Sequence, residues 1–77
     1  MDRTLYRVDR CQEVPIAPVG MNSLLYVGRS LQEATKVFNY IEGGKTEWGK
    51  LDPSYGVGLF MWQPNKNEYV VKRWKNK

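Results

Sequence analysis

Histidine is missing from this chain, cysteine occurs once, and no apolar run is long. Without histidine, the commonest general base and metal ligand is lacking. Cys11 alone can build neither an internal disulfide nor a cysteine-rich zinc site. The longest apolar runs, at 24–27 and 59–62, are far too short to span a bilayer. We therefore expect no metal, no cofactor and no membrane insertion.

Two signatures of catalysis and phosphate binding are also missing. The carboxylates Glu42, Glu47 and Asp52 lack the paired spacing that acid–base chemistry would require. The segment Gly56-Val57-Gly58 lacks the third glycine of a phosphate-binding pattern and opens a strand, so we interpret its glycines as turn and strand-entry residues. The sequence thus predicts a protein that is not an enzyme and has no small-molecule ligand.

The length of 77 residues suits one domain, and we expect residues 1–77 to fold as a single unit. The apolar share of 42% and the charged share of 26% are typical of a globular protein and unlike those of a disordered one. A single cysteine fits the reducing cytoplasm best, and we expect the protein to be cytoplasmic.

Positive charge is concentrated near the C-terminus. The net charge is +4, and residues 56–77 carry five cationic side chains against one anionic side chain. Residues 30–55, by contrast, carry three cationic and four anionic side chains. The excess favours an acidic partner, and the basic tail at 75–77 is a candidate for a mobile segment.

The N-terminal half predicts two strands separated by a loop. Apolar and polar residues alternate over Thr4–Arg10, as in an extended chain. Prolines then break any periodic pattern up to residue 22, and residues 14–19 of this loop are a candidate cover for one face of the sheet. The unbroken run Leu24-Leu25-Tyr26-Val27 predicts a strand covered on both faces, and hence the central strand.

One amphipathic helix follows. Ser30 and Glu33 have the spacing of a capping box, which satisfies two backbone N–H groups at a helix start. A single apolar stripe then recurs at helical spacing, formed by Leu31, Ala34, Val37, Phe38 and Ile41. Gly43-Gly44 predicts the end of the helix, because glycine readily takes the left-handed conformation common there.

The connection from Gly44 to Gly56 is polar, rich in turn formers and longer than most connections in compact domains. We expect Trp48 and Tyr55 to fold back onto the body of the protein. An exposed Trp48 would instead indicate a contact site.

The C-terminal part predicts a hairpin. Residues 57–63 and 68–74 are strand-like, and the turn formers Pro64-Asn65-Lys66-Asn67 join them. The element order is therefore β-β-α-β-β, which predicts an α+β fold with one helix on one face of a mostly antiparallel sheet of about four strands.

Pairing Gln63 with Glu68 fixes the predicted register of this hairpin. The further pairs are then Trp62–Tyr69, Met61–Val70, Phe60–Val71, Gly58–Arg73 and Val57–Trp74. One face would carry Val57, Leu59, Met61, Val70, Lys72 and Trp74, and the other Phe60, Trp62, Tyr69, Val71 and Arg73.

A single short helix covers only one face of such a sheet, so the other face needs a different cover or a partner. The candidate partner-binding residues combine aromatic rings with cations: Phe60, Trp62, Tyr69, Lys72, Arg73, Trp74 and Lys75. Three interpretations stay open. The rings are core, or they stack on single-stranded nucleic acid while the cations meet phosphates, or the same face binds a protein, including a second copy in a homodimer. The sequence thus predicts a small non-catalytic binding module, with nucleic acid as the first expected partner and a protein as the alternative.

Overall fold

The computed structural model describes residues 4–12, 23–46 and 48–76. Over these residues it has the predicted α+β fold, in which four antiparallel strands form one sheet and one helix packs on it, in the order β-β-α-β-β. The elements are β1 (Tyr6–Gln12), β2 (Ser23–Gly28), α1 (Leu31–Tyr40), β3 (Tyr55–Gln63) and β4 (Glu68–Lys75). The segment 14–19, a candidate cover for the sheet, lies outside the described residues.

The strand order is β2-β1-β3-β4, so the prediction that residues 24–27 form the central strand is wrong. β2 is an edge strand, and its pairing with β1 contains a bulge opposite Val8 and Asp9. Leu25 and Tyr26 pack against the core, whereas Leu24 and Val27 are 52% and 50% exposed. An apolar run shows that a strand buries side chains, but it does not distinguish an edge position from a central one.

The helix begins as the capping residues predict. The Ser30 hydroxyl accepts a 3.1 Å hydrogen bond from the backbone N–H of Glu33. The predicted end at Gly43-Gly44 is wrong, because α1 ends at Tyr40 and Ile41 follows in an extended conformation. The left-handed conformation occurs later, at Gly44, where φ is 72° and the chain enters the next loop. Over the described ranges, no helix is long and apolar enough to cross a membrane.

The main core lies between α1 and one face of the sheet, called the helix face. Its buried side chains come from two strands, β1 and β3, and from the helix, and they are Val8, Ala34, Phe38, Val57 and Leu59. The helix packs over β1, β2 and β3. Lys75 of β4 reaches it with its side chain, and its Nζ lies 4.8 Å from the centre of the Phe38 ring.

The hairpin register agrees with the prediction from Gln63–Glu68 as far as Phe60–Val71. A bulge then shifts the ladder by one residue, because Lys72 has no counterpart on β3. Gly58 pairs with Trp74, Leu59 with Arg73 and Val57 with Lys75, so the predicted pairs Gly58–Arg73 and Val57–Trp74 are wrong. The bulge moves Trp74 to the face that carries Phe60 and moves Arg73 and Lys75 to the helix face.

Candidate functional site

The face of the sheet away from α1 is called the distal face. The strand register places on it Arg7, Asp9, Cys11, Leu24, Val27, Phe60, Trp62, Tyr69, Val71 and Trp74. Phe60 and Cys11 form a second buried cluster there, against which Tyr69 and Trp74 pack. Phe60 is 0% exposed, so it belongs to the core and offers no ring face to a base or to a partner.

Trp62 and Tyr69 lie at the hairpin end of the distal face, and both are half-buried. Their ring centres are 5.0 Å apart, in an edge-to-face arrangement at 66°. The Arg7 guanidinium carbon lies 5.4 Å from the centre of the Tyr69 ring, and Arg7 Nε lies 2.9 Å from Asp9 Oδ1. One face of the Tyr69 ring is thus already covered by a cation of the same chain.

The predicted cations and rings do not form one surface. Lys72 and Arg73 are exposed, but the bulge directs Arg73 to the helix face, opposite Leu59. Lys75 also lies on the helix face, and its Nζ is 3.4 Å from the carbonyl oxygen of Asn39. Trp74 is half-buried on the distal face. The fold therefore separates two of the predicted phosphate-binding cations from the aromatic rings with which they were expected to act.

The most exposed large apolar side chains in the described part of the chain lie elsewhere. Tyr40, Trp48 and Leu51 are each 83% exposed. Tyr40 ends α1, and the other two belong to the Trp48 loop, which we define as residues 44–46 and 48–52. The expectation that Trp48 folds back onto the body is wrong, because its side chain is exposed to solvent.

The Trp48 loop is held in shape by its own hydrogen bonds. Lys45 and Leu51 form an antiparallel bridge, and the Thr46 N–H donates to the Lys50 carbonyl at 2.8 Å. The Thr46 hydroxyl accepts from the backbone N–H groups of Trp48 and Lys50, at 3.3 and 3.2 Å. Such local side-chain bonds to the backbone fix the direction in which the exposed indole leaves the loop.

Arg10 fastens this loop to the sheet. Its Nη1 donates to the carbonyl oxygen of Lys45 at 2.7 Å and to that of Glu42 at 3.0 Å. Because Arg10 lies inside β1, opposite Val57, the loop is held by a rigid element. The backbone ends of the loop are tied as well, since Asp52 N–H donates to the Gly44 carbonyl at 2.8 Å.

Two shallow grooves adjoin the loop and meet at Glu42. The first has a volume of about 390 Å³ and is lined by Arg10, Tyr40, Ile41, Glu42 and Lys45. The second has a volume of about 420 Å³ and is lined by Glu42, Gly43, Gly44, Leu51, Pro53 and Asn76. Both are open, and they extend the exposed surface from Tyr40 across to Leu51.

The charges beside these grooves are paired. Lys45 Nζ lies 3.0 Å from Glu42 Oε2. The hydrogen bond from Lys45 and its positive charge lower the pKa of the Glu42 carboxyl, and the charge of Lys75 acts in the same direction. Of the three charged side chains that line the two grooves, Glu42 and Lys45 thus neutralise each other, and Arg10 is held by backbone carbonyl oxygens.

Sequence reasoning expected Trp48 to be packed and gave its exposure only as the alternative, and it did not consider Tyr40 or Leu51. Tyr40 does not belong to the apolar stripe of α1, and that position off the stripe is the signal that could have identified it. Leu51 is a single apolar residue between Lys50 and Asp52 in a polar connection, which gives no signal of its own.

Neither metal-binding side chains nor similar proteins give further information about this surface. Within residues 4–12, 23–46 and 48–76, no three side chains of the kinds that bind metals come together. The chain matches no family model, no curated protein and no solved structure with which it was compared.

Proposed function

We propose that this protein is a small non-catalytic binding module that docks another protein through the Trp48 loop. The observation that carries the proposal is an indole 83% exposed on a loop that its own hydrogen bonds and Arg10 hold in one shape. Tryptophan is among the residues that dominate binding energy at protein interfaces. A loop already ordered before binding loses little conformational entropy when a partner docks.

The charge distribution favours a protein over a nucleic acid as the partner. The most exposed rings lie on a part of the chain, residues 30–55, with three cationic and four anionic side chains. The cationic excess lies on residues 56–77, where Phe60 is buried and Trp62, Tyr69 and Trp74 are half-buried. Nucleic-acid binding needs stacking rings and phosphate-binding cations at the same place. Here the most exposed rings and the cationic excess lie on different parts of the chain.

The partner expected from this chemistry is a protein with an apolar cleft that accepts the indole of Trp48. Tyr40 and Leu51 would pack around the mouth of the cleft, along the grooves that adjoin Glu42. Because Lys45 and Glu42 already neutralise each other, the complex should depend little on ionic strength.

The test compares Trp48→Ala with Val71→Ala as baits in a native cell extract treated with nuclease. Val71 is a matched control, because it is an apolar side chain 47% exposed on β4, outside the loop. A protein retained by wild type and Val71→Ala but lost with Trp48→Ala is then purified and titrated. Trp48→Ala should weaken its binding by about 2 kcal/mol or more at both low and high salt. Equal affinity of wild type and Trp48→Ala for every retained protein would contradict the proposal.

A second candidate function is the binding of single-stranded nucleic acid at the hairpin end of the distal face. It is supported by the half-buried pair Trp62–Tyr69, with Arg7 beside it and the exposed Lys72 on β4, the strand of Tyr69. Binding of an oligonucleotide should then weaken steeply with salt, and Trp62→Ala should weaken it by ~1–3 kcal/mol. Trp48→Ala should leave it unchanged. Flat titrations at low salt would exclude this candidate.

We further propose that the module acts in the cytoplasm. The support is that Cys11 is buried and that the sequence has no second cysteine with which it could form a disulfide.

A further inference from the structure

The outer edge of β2, Ser23–Gly28, is formed by residues other than those of the Trp48 loop. We infer that two copies of the chain pair there, β2 against β2 in antiparallel orientation, so that Leu24 of each copy lies opposite Val27 of the other. The result is a symmetric dimer with one continuous sheet of eight strands. The inference does not rest on the function proposed for the Trp48 loop.

β2 has an open edge in the part of the chain that the structure describes. It pairs with β1 on one side, and no described strand pairs with its other side. Such an edge presents backbone N–H and C=O groups that can extend a sheet into another chain. Proteins that must avoid this usually place charges, above all lysine, on an edge strand.

The two edge strands of this sheet, β2 and β4, differ in their charged side chains. The six residues of β2, Ser23–Gly28, include no charged side chain. The other edge, β4, carries three cations close together, Lys72, Arg73 and Lys75. Both edge strands contain a bulge in their pairing with the inner strand. The two edges therefore differ in their charge and not in the regularity of their pairing. A second β4 would be repelled, whereas a second β2 would meet no charge.

The bulge gives β2 a pattern that is complementary to itself. Residues directly opposite in an antiparallel pair share a face, so Leu24 can lie opposite Val27 only if both lie on one face. In a regular strand, residues three apart lie on opposite faces. Here the extra residue at Leu25 puts Leu24, opposite Asp9, and Val27, opposite Arg7, on the same distal face.

The rest of the strand follows the same symmetry. Leu25 and Tyr26 both pack on the helix-face core, and each would lie opposite the other in the second copy. The exposure of the six side chains has the same order from either end of the strand. The second and the fifth, Leu24 and Val27, are half-exposed, and the other four are more buried. Pairing would cover the half-exposed Leu24 of each copy with the half-exposed Val27 of the other.

This symmetry selects a second copy as the occupant of the edge. Pairing of β2 with β4 of another molecule would leave one open edge on each chain and would grow into a filament. Pairing of β2 with itself uses both open β2 edges and closes. The β4 edges that remain at the two ends of the larger sheet are the ones protected by lysine and arginine.

The oligomeric state tests the inference. Sedimentation and light scattering of the wild-type chain should show a dimer that dissociates on dilution. Val27→Lys should weaken the dimer by about 100-fold or more, because the symmetric interface contains the substitution twice. Val71→Lys is the matched control, since Val71 is 47% exposed on the other edge strand and Val27 is 50% exposed. It should dimerise like wild type.

Three outcomes would overturn the inference: a wild-type chain that stays monomeric at high concentration, a Val27→Lys variant that dimerises like wild type, or a Val71→Lys variant that dissociates equally. Trp48→Ala separates this surface from the proposed docking loop, because it should leave the dimer intact. Circular dichroism of each lysine variant establishes that the fold is retained.

Cross-linking tests the register without relying on a disruptive variant. Opposite residues of an antiparallel pair have Cα atoms roughly 4.5–5.5 Å apart, within the range of a disulfide. The double variant Leu24→Cys and Val27→Cys should therefore form a covalent dimer on mild oxidation, whereas Val71→Cys should not. A dimeric double variant that fails to cross-link would contradict the pairing of Leu24 with Val27.

Discussion

The indole of Trp74 fills the space that a β-carbon on Gly56 would need. Trp74 pairs with Gly58, and its ring extends along β3 across Gly56. The backbone closes the same space, because a β-carbon at residue 56 would also lie 2.6 Å from the carbonyl oxygen of Lys75. The two glycines, which the sequence indicated as turn and strand-entry residues, lie within β3 and leave room for this ring.

Gly56→Ala should therefore destabilise the fold. The added methyl group has to displace both the indole of Trp74 and the backbone of Lys75, and such overpacking costs about 1–3 kcal/mol. Urea unfolding of the variant and of wild type measures the difference. Val71→Thr, on an exposed position of β4, keeps a β-branched side chain and should change stability by less than about 0.5 kcal/mol. An unchanged midpoint for Gly56→Ala would show that Trp74 does not cover residue 56.

The same contact explains why the hairpin was only partly predictable. The tight turn at 64–67 sets the register of the nearest pairs, from Gln63–Glu68 to Phe60–Val71. The bulge at Lys72 depends instead on how Trp74 packs over residues of β3, a contact that no local pattern records. A shift of one residue in the register moves every side chain beyond it to the opposite face of the sheet. Arg73 and Trp74 were therefore each predicted on the wrong face.

Phe60→Ala should cost roughly 3–5 kcal/mol, since the ring is 0% exposed and its loss leaves a cavity in the distal cluster. A fold of this size has limited stability, so Phe60→Leu serves as the milder variant and should cost less than Phe60→Ala, because it leaves a smaller cavity. Urea unfolding measures both. An exposed stacking residue would behave differently, because its removal would leave stability unchanged and would weaken oligonucleotide binding.

The order of the strands in the sheet also could not be predicted from the local sequence pattern. The run at 24–27 is apolar because two of its side chains face the core and two lie on a half-exposed edge. An unbroken apolar run in a bulged edge strand looks the same as one in a strand covered on both faces. The capping of α1 by Ser30 was predictable, because it depends on residues three apart in the chain.

The Glu42 carboxyl should titrate below its ordinary pKa of 4.5, because Lys45 donates a hydrogen bond to it and carries a positive charge. A pKa lowered in the folded state stabilises the fold above the ordinary value, and this contribution is lost as the pH falls through the lowered value. Lys45→Met should raise the pKa of Glu42 towards 4.5. Carbon-detected NMR titration of the side-chain carboxyl measures the change.

Lys50→Met is the control for this titration. Lys50 belongs to the same loop and is exposed, but Lys45 is the residue that forms the ion pair with Glu42. The Lys50→Met variant should titrate like wild type. An identical Glu42 pKa in wild type and in Lys45→Met would show that the ion pair does not persist in solution. The expected salt independence of the complex would then lose its support, because it depends on Lys45 and Glu42 neutralising each other.

Fluorescence can test the exposure of Trp48, on which the proposed docking surface depends. The chain has three tryptophans, of which Trp48 is 83% exposed while Trp62 and Trp74 are half-buried. Trp48→Phe should remove the emission that lies furthest to the red and is most accessible to acrylamide. Because the indole makes few contacts with the rest of the chain, the free energy of unfolding should change by less than about 0.5 kcal/mol.

Trp62→Phe and Trp74→Phe are the controls, and they should leave the acrylamide-accessible emission in place. A Trp48→Phe protein quenched as readily as wild type would mean that the indole is covered, and the loop would then offer no anchor to a partner.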